Sequence, residues 1–532
     1  HTFSGGLGVL AGDMIRSCAD LNVPLVGVTL VSKKGYFRQE LTREGMQIEH
    51  PDPWCPSDFA RNLSEEVAVN IQGRDVRIKA WLYSVKGAAG WEIPVYLLDT
   101  DVNGNKSEDR EITSFLYGGD ERYRIKQEIV LGIGGVRFLE KLGVKVRKYH
   151  LNEGHSSFLA LELLRKYDMD IDKVRSSCIF TTHTPVEAGH DKFSYDLVQE
   201  ILGETFPLEV LRRLAGQERL NMTLLALNLS GYINGVAKKH KMVSKEMFPS
   251  YEIHAITNGV HSYTWTSGSF KRLYDSYLPG WAHEPELLLR VEIIPDDEIW
   301  QAHMESKRTL IDYVNEFTST DMIFNTLTIG FARRSTEYKR SNLLFSDLER
   351  LRKANRKGGI QLIFAGKAHP KDDLGKKLIG QIFSYKERLK DEIKIAYLED
   401  YDMDTAAKIV SGVDLWLNTP MPPLEASGTS GMKAAHNGVI NFSVLDGWWV
   451  EGWIEGVTGW AIGPTPEEHV SKEERITREI SDLYGKLEYV IIPMFYKRKG
   501  EWIGMMKNSI GKIACHFNSH RMVHRYISEA YL

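Results

Sequence analysis

The sequence predicts an α/β protein made of two Rossmann-like, doubly wound domains facing a cleft. Two observations carry that reading. Strand-like apolar runs alternate with helical patterns twice along the chain, and such alternation implies parallel sheets joined by right-handed crossovers. Loops of small and polar residues follow several of those strands, where open α/β sheets place their ligands. At 532 residues the chain exceeds one ordinary domain.

In the first alternating set, Gly8–Leu21 has a helical pattern and Val23–Val31 is an apolar strand. Val67–Leu98 holds strand-like runs of a β-rich insertion. Arg122–Leu142 reads as one long helix, followed by strand Lys148–Leu151, helix His155–Lys166 and strand Cys178–Thr181. Ile253–Ile256 is a further strand, and charged helical segments then continue to about Asn315. The second set opens at Thr326–Phe331 and continues through helix Ser341–Ala354, strand Ile360–Phe364, helix Leu374–Leu389 and strand Ile393–Tyr397. Helix Thr405–Ser411, strand Val413–Leu417, helix Ser430–Asn437 and strand Val439–Phe442 complete it. One domain is therefore expected at residues 1–262 and the other at 263–532, with the helical tail Glu467–Leu532 packing back on the first.

Composition narrows the function. A net charge of −4 gives no basic field for nucleic acid or a membrane surface. No apolar run reaches the roughly 18 residues of a membrane span. The four cysteines, Cys18, Cys55, Cys178 and Cys515, lack CxxC spacing and read as reduced thiols of a cytoplasmic protein. The histidines His150, His155, His183 and His190 lack the i,i+4 spacing of a helical metal site, so no catalytic metal is expected.

Glu425-Ala-Ser-Gly-Thr-Ser-Gly-Met-Lys433 is the most informative stretch. Six small residues and one Met separate an acid from a lysine, leaving little bulk between a ligand and the backbone. Lys433 is expected near a helix start, where the macrodipole disfavours a cation. Either solvent tolerates that placement, or an anion or covalent partner compensates it. Arg333-Arg334-Ser-Thr-Glu-Tyr-Lys339-Arg340 carries four cations in eight residues after strand TLTIGF, and is expected at the N-terminus of the next helix, where it would oppose the dipole. A solvated charge run is the ordinary explanation; phosphate at a strand end is the alternative. Gly5-Gly6-Leu7-Gly8 opens a helix, as a tight structural turn or as an anion site of backbone N–H groups. His183, at the end of Phe180-Thr-Thr-His-Thr-Pro, is either structural or turned toward a ligand. Asn152-Glu153-Gly-His155 and Thr257-Asn258-Gly follow strands in the same way and suit sugar hydroxyls. Leu445–Trp453 is aromatic core or a stacking surface for sugar, and Asp446 with Glu451 offers carboxylates for hydrolysis at an unfixed separation.

Together these residues resemble the α-glucan phosphorylase family, the glycogen, maltodextrin and starch phosphorylases, and more the short bacterial and archaeal type than the long animal enzymes. The likeness runs from Gly5 to at least Glu451, and Glu-Ala-Ser-Gly-Thr-x-x-Met-Lys is its most specific motif. The resemblance implies the glycosyltransferase B architecture and pyridoxal 5′-phosphate bound covalently, as an imine, on Lys433. It implies cleavage of α-1,4-glucans from the non-reducing end by inorganic phosphate. The product would be α-glucose 1-phosphate with retained configuration, the cofactor phosphate acting as acid and base through inorganic phosphate.

By motif match, Arg333, Lys339, Thr429, Gly6 and Tyr401 would contact the cofactor, and Arg334 the substrate phosphate. His183 and Asn258 would bind the glucosyl 6-hydroxyl, His183 also steadying positive charge through its main chain. Glu425, Ser427 and Gly428 would bind the 3- and 4-hydroxyls. Gly5, Leu7 and Glu153 would complete the sugar site, Glu153 near the acceptor. His183, Arg334, Lys339 and Lys433 form the implied catalytic set. No allosteric control is expected, and a homodimer is compatible.

The chain departs from the long enzymes in carrying Arg333 where they have Lys and Thr336 where they have His. It also opens at His1-Thr-Phe-Ser, directly before the glycine turn, so an N-terminal part of about 100 residues is expected to be missing, given that a parallel sheet would otherwise lack its first strand. A nucleotide-sugar glycosyltransferase of the same architecture, a non-catalytic glucan binder and a retaining hydrolase are the competing readings.

Overall fold

In a computed structural model, described for residues 5–88, 90–116 and 118–532, the chain forms two compact α/β units. The opening His1–Ser4 lies outside the described residues. Of the described residues, the first unit comprises those within 5–37, 51–256 and 523–532; the second comprises 38–50 and 257–522. The chain thus crosses between units more often than a single cut at residue 262 allows.

Among the described residues the first unit holds two larger sheets and a two-stranded antiparallel pair, Lys192–Ser194 with Arg219–Asn221. A mixed sheet pairs Gly27–Leu30 in parallel with Glu92–Asp99, which runs antiparallel to the long strand Arg74–Lys86. Val67–Ile71 and Arg61–Asn62 pair with that same long strand. A parallel sheet follows, in the order His254–Ala255, Tyr232–Gly235, Cys178–Thr181, Tyr149–Asn152. Leu151, Phe180 and Ile233 are buried at its centre. The expected helix Arg122–Leu142 is present as Glu121–Ile129 and Gly135–Lys141, joined by a π-helical turn Val130–Gly134. Asp120 caps it by accepting the Tyr123 N–H at 3.0 Å. Gly132 lets it approach helix Phe158–Lys166 closely, since a Cβ there would lie 2.6 Å from the Leu159 nitrogen.

The second unit is built on six parallel strands. Their spatial order is Lys394–Leu398, Ile360–Ala365, Leu327–Ala332, Leu415–Asn418, Ile440–Val444, Gly459–Ile462. Numbered by sequence this is 3-2-1-4-5-6, the doubly wound order whose direction of winding reverses between the first and fourth strands. Apart from the end residue Lys394, every residue of the four central and first-half strands from Leu327 to Asn418 is buried, as expected for strands covered on both faces. Hairpin Arg38–Leu41 with Gln47–His50 belongs to this unit. The Gln39 amide donates to the Gly366 carbonyl at 3.1 Å and the Gln47 amide to that of Ala368 at 2.9 Å.

Two expectations are corrected here. The helix expected from Ser341 starts at Leu348, where Asp347 caps it. The chain first turns through Glu337–Lys339, with Arg340 in the left-handed region at φ 49°, so the Arg333–Arg340 run does not lie at a helix N-terminus. Lys433 lies in the last turn of the six-residue helix Ser430–Ala435, where a dipole would favour a cation. No described helix is long and apolar enough to cross a membrane.

Candidate functional site

The two most suggestive loops leave adjacent strands at the point where the winding reverses. One follows Ala332, the other Asn418. Arg340 rivets them together: its guanidinium donates to the carbonyls of Thr419 at 2.9 Å and Pro420 at 2.6 Å, and pairs with Glu479 at 2.6 Å. The Thr419 hydroxyl returns two bonds of 3.0 Å to the carbonyls of Lys339 and Arg340. Arg340 is therefore spent on structure, which frees the rest of the cationic run for another task.

Arg333 and Lys339 converge on Glu425. Arg333 Nη2 lies 2.6 Å from Glu425 Oε2, and Lys339 Nζ pairs with the same oxygen. Arg333 has two further donors, Nε and Nη1, that are buried and have no hydrogen-bond partner. Burial lowers the pKa of Lys339 to about 7, aided by Arg333 and opposed by Glu425. Burial works to raise Glu425, but Arg333 and Lys339 outweigh it and hold its carboxyl at about 2. Tyr401 is half-buried; burial raises its pKa, against the pull of the Arg333 charge. Arg334 is exposed.

The Glu425 loop is held from behind by the Leu445–Trp453 turn, for which the sequence offered core packing, sugar stacking or hydrolytic carboxylates. Asp446 Oδ2 accepts the Glu425 N–H at 2.8 Å, and Trp448 N–H donates to the Ser427 carbonyl at 2.9 Å. Gly447 permits the crossing: its φ is 54°, and a Cβ would sit 2.2 Å from the Ser427 oxygen. Burial raises Asp446 to about 7. Glu451 instead bonds the Thr257 hydroxyl at 2.9 Å, so the two carboxylates serve separate loops. Trp448 and Trp449 are buried and pack with centroids 5.2 Å apart, as core. Gly428 has φ 74°, and Ser427 is buried.

Lys433 is buried, with its ammonium 4.0 Å over the Trp265 ring. Asn437 ties this arrangement by donating to the carbonyls of both Trp265, at 2.8 Å, and Lys433, at 3.1 Å. Thr429 caps the helix, its carbonyl accepting the Lys433 N–H at 3.2 Å. Asn258 is buried with Oδ1 unpartnered, while Arg521 grips the carbonyls of Thr257 at 2.8 Å and Asn258 at 3.0 Å.

In the first unit, Glu153 and His183 are joined directly. The Glu153 carboxylate accepts the His183 N–H and the Thr184 hydroxyl, the latter at 2.8 Å. Asn152 Oδ1 lies 2.7 Å from His183 Nε2. Burial lowers His183 to about 4, against the Glu153 charge, so its ring is neutral at pH 7. Gly5, Gly6 and Leu7 form the first turn of helix Gly5–Asp20. Gly5 needs its φ of 68°, whereas a Cβ on Gly6 would meet no atom of the described residues within 4 Å. Glu128, His155 and Asp191 could reach one ion, but the Arg124 guanidinium lies among them, 2.7 Å from His155 and 3.0 Å from both acids.

The sequence-predicted residues therefore gather as Arg333, Lys339, Glu425 and nearby Tyr401 in one unit, and as Glu153 with His183 in the other. Sequence reading missed Trp265 and Arg521, which stand outside every motif it singled out. It also missed the part Asn152 plays, although Asn152 stands beside Glu153.

Comparison with known proteins agrees on one family. The carbohydrate phosphorylase profile matches residues 3–122 and 207–457. A maltodextrin phosphorylase of Thermococcus litoralis is 41% identical over 99% of this chain and 68% of its own length. A glycogen phosphorylase of Aquifex aeolicus is 37% identical over 99% of this chain and 83% of its own. One from Mycobacterium tuberculosis is 35% identical over 99% and 68%.

Proposed function

The chain belongs to the carbohydrate phosphorylase family, and on that premise we propose that it cleaves α-1,4-glucans with inorganic phosphate, from the non-reducing end and with retention. The observation that carries the reading is the cationic set on the loop after Ala332. Arg333 and Lys339 share one carboxylate oxygen, two Arg333 donors are buried without partners, and Arg334 adds a third cation. The protein supplies less anion there than the cations can bind, and phosphate oxygens match guanidinium donors two at a time.

The same residues fit pyridoxal 5′-phosphate. Lys433 is buried at the end of the small-residue loop. Lys433 would hold the cofactor covalently, with Arg333, Lys339, Thr429, Gly6 and Tyr401 around it. When bound, the cofactor supplies a second phosphate that exchanges a proton with inorganic phosphate. Arg334 would hold the inorganic phosphate. The three cations would offset the repulsion between neighbouring anions, an electrostatic task for preorganised donors. A phosphate beside Lys339 would favour its charged form against the burial that lowers it.

The sugar would be oriented by hydrogen-bonding groups. Neutral His183, fixed by Asn152, and Asn258, with its open Oδ1, suit the 6-hydroxyl. Glu425, Ser427 and Gly428 suit the 3- and 4-hydroxyls, with Gly5 and Leu7 beside them. A cytoplasmic enzyme, active as a homodimer, completes the proposal.

The test is glucose 1-phosphate formation from maltodextrin and phosphate, with and without pyridoxal phosphate. Lys433→Ala should lose both the bound chromophore and the activity. Product formation that survives complete cofactor removal, or glucosyl transfer from a nucleotide sugar, would overturn the reading.

A further inference from the structure

We infer that Glu153 is a positioning residue for phosphorolysis, acting on the His183 loop and not by touching an acceptor sugar. The inference rests on the function proposed above. Its first support is the backbone. Glu153 has φ 72° and ψ 176°, a region that essentially only glycine occupies. A side chain persists in such a conformation only where its surroundings over-determine it, and such residues cluster at functional sites.

The second support is where the carboxylate goes. Glu153 is 4% exposed. Its Oε1 accepts the His183 N–H, the Thr184 hydroxyl at 2.8 Å and, more weakly, the Thr182 hydroxyl at 3.4 Å. Its Oε2 accepts the Gly154 N–H at 3.1 Å. Its own N–H donates to the Thr181 carbonyl at 3.0 Å. Four donors from the protein occupy the carboxylate, so little acceptor capacity is left for a glucan hydroxyl. The strained backbone turns the side chain away from the Tyr149–Asn152 strand and across to the loop after Cys178–Thr181. Asn152, the preceding residue, holds the His183 ring at 2.7 Å. Two consecutive residues at one strand end therefore fix the main chain and the ring of a histidine on the neighbouring strand's loop.

A loop left unanchored misplaces its groups by an ångström or so, which costs about 100-fold in rate while the binding of remote sugar units is unaffected. Glu153→Gly is the informative variant, because glycine relieves the backbone strain as it removes the anchor. Steady-state phosphorolysis of maltodextrin should show kcat lower by about 100-fold with KM nearly unchanged. Glu153→Gln, which keeps an acceptor for the His183 N–H, should recover most of the lost kcat. Thr184→Val, which deletes one of the bonds and leaves the backbone alone, should lower kcat by a smaller factor. Retention of kcat within about 3-fold in Glu153→Gly, or a change confined to KM for the glucan, would overturn the inference and place Glu153 at the acceptor instead. A wild-type chain that releases no glucose 1-phosphate with the cofactor present would sink the functional reading itself.

Discussion

Two buried ion clusters lie in the second unit, and they are wired in opposite ways. In one, Asp414 is fully enclosed. Its oxygens take Lys307 at 2.5 Å, His303 at 2.8 Å and the Thr328 N–H at 2.7 Å, and Lys307 spends a further proton on the Thr326 carbonyl at 2.8 Å. In the other, Glu425 takes Arg333 and Lys339 on a single oxygen, and two Arg333 donors stay unpaired. The first cluster has one anion shared among donors that are nearly all satisfied; the second has cationic capacity left over. A satisfied buried cluster is a structural rivet, whereas leftover donors at a strand end mark a place for a ligand's anion. The contrast also shows in composition: both clusters use a lysine, but the rivet adds a histidine and the other an arginine whose planar fork suits phosphate.

The largest expected effect breaks the rivet. Asp414→Ala strands Lys307 in the core and should cost about 3–5 kcal/mol of stability, read by denaturant unfolding. A loss below about 1 kcal/mol would mean that the two clusters do not differ in kind. Arg333→Met comes next and should invert the pattern. Activity should fall by about 100- to 1000-fold, with stability close to wild type. A variant that unfolds while its folded fraction keeps full activity would make Arg333 a second rivet.

The smallest effect concerns the turn behind Glu425. Asp446 is raised from the usual 3.8 to about 7, so the folded protein binds a proton that the unfolded chain releases. That contribution to stability is complete below about pH 4 and is lost as pH rises through 7. Thermal melts should show this decline for wild type and a flatter profile for Asp446→Asn, by about 1–3 °C. An identical slope in both would remove Asp446 from the account.

How far this was legible in the sequence differs by region. Strand Leu327–Ala332 and strand Ile360–Ala365 were readable because buried parallel strands are continuous apolar runs. Tyr232–Gly235 and the hairpin Arg38–His50 were not: both are short and carry no continuous apolar run, and Tyr232–Gly235 takes its pairing from distant strands. The cationic run was found as a motif, but its placement at a helix start was wrong, since the left-handed turn at Arg340 is fixed by Thr419 from another loop. Lys433 was found through its small-residue loop, yet the ring beneath it, Trp265, carries no local signal.

The family motif and the alternating βα pattern are local properties of the chain, and the sequence by itself determined them. Which strands are neighbours, which cation is spent on a carbonyl and which keeps unpaired donors depend on segments far apart in sequence. Only the tertiary structure decided those. Arg333 and Arg340 illustrate the reason: both are arginines of one eight-residue run, and only the surrounding fold makes Arg340 a clasp and leaves Arg333 with donors to offer.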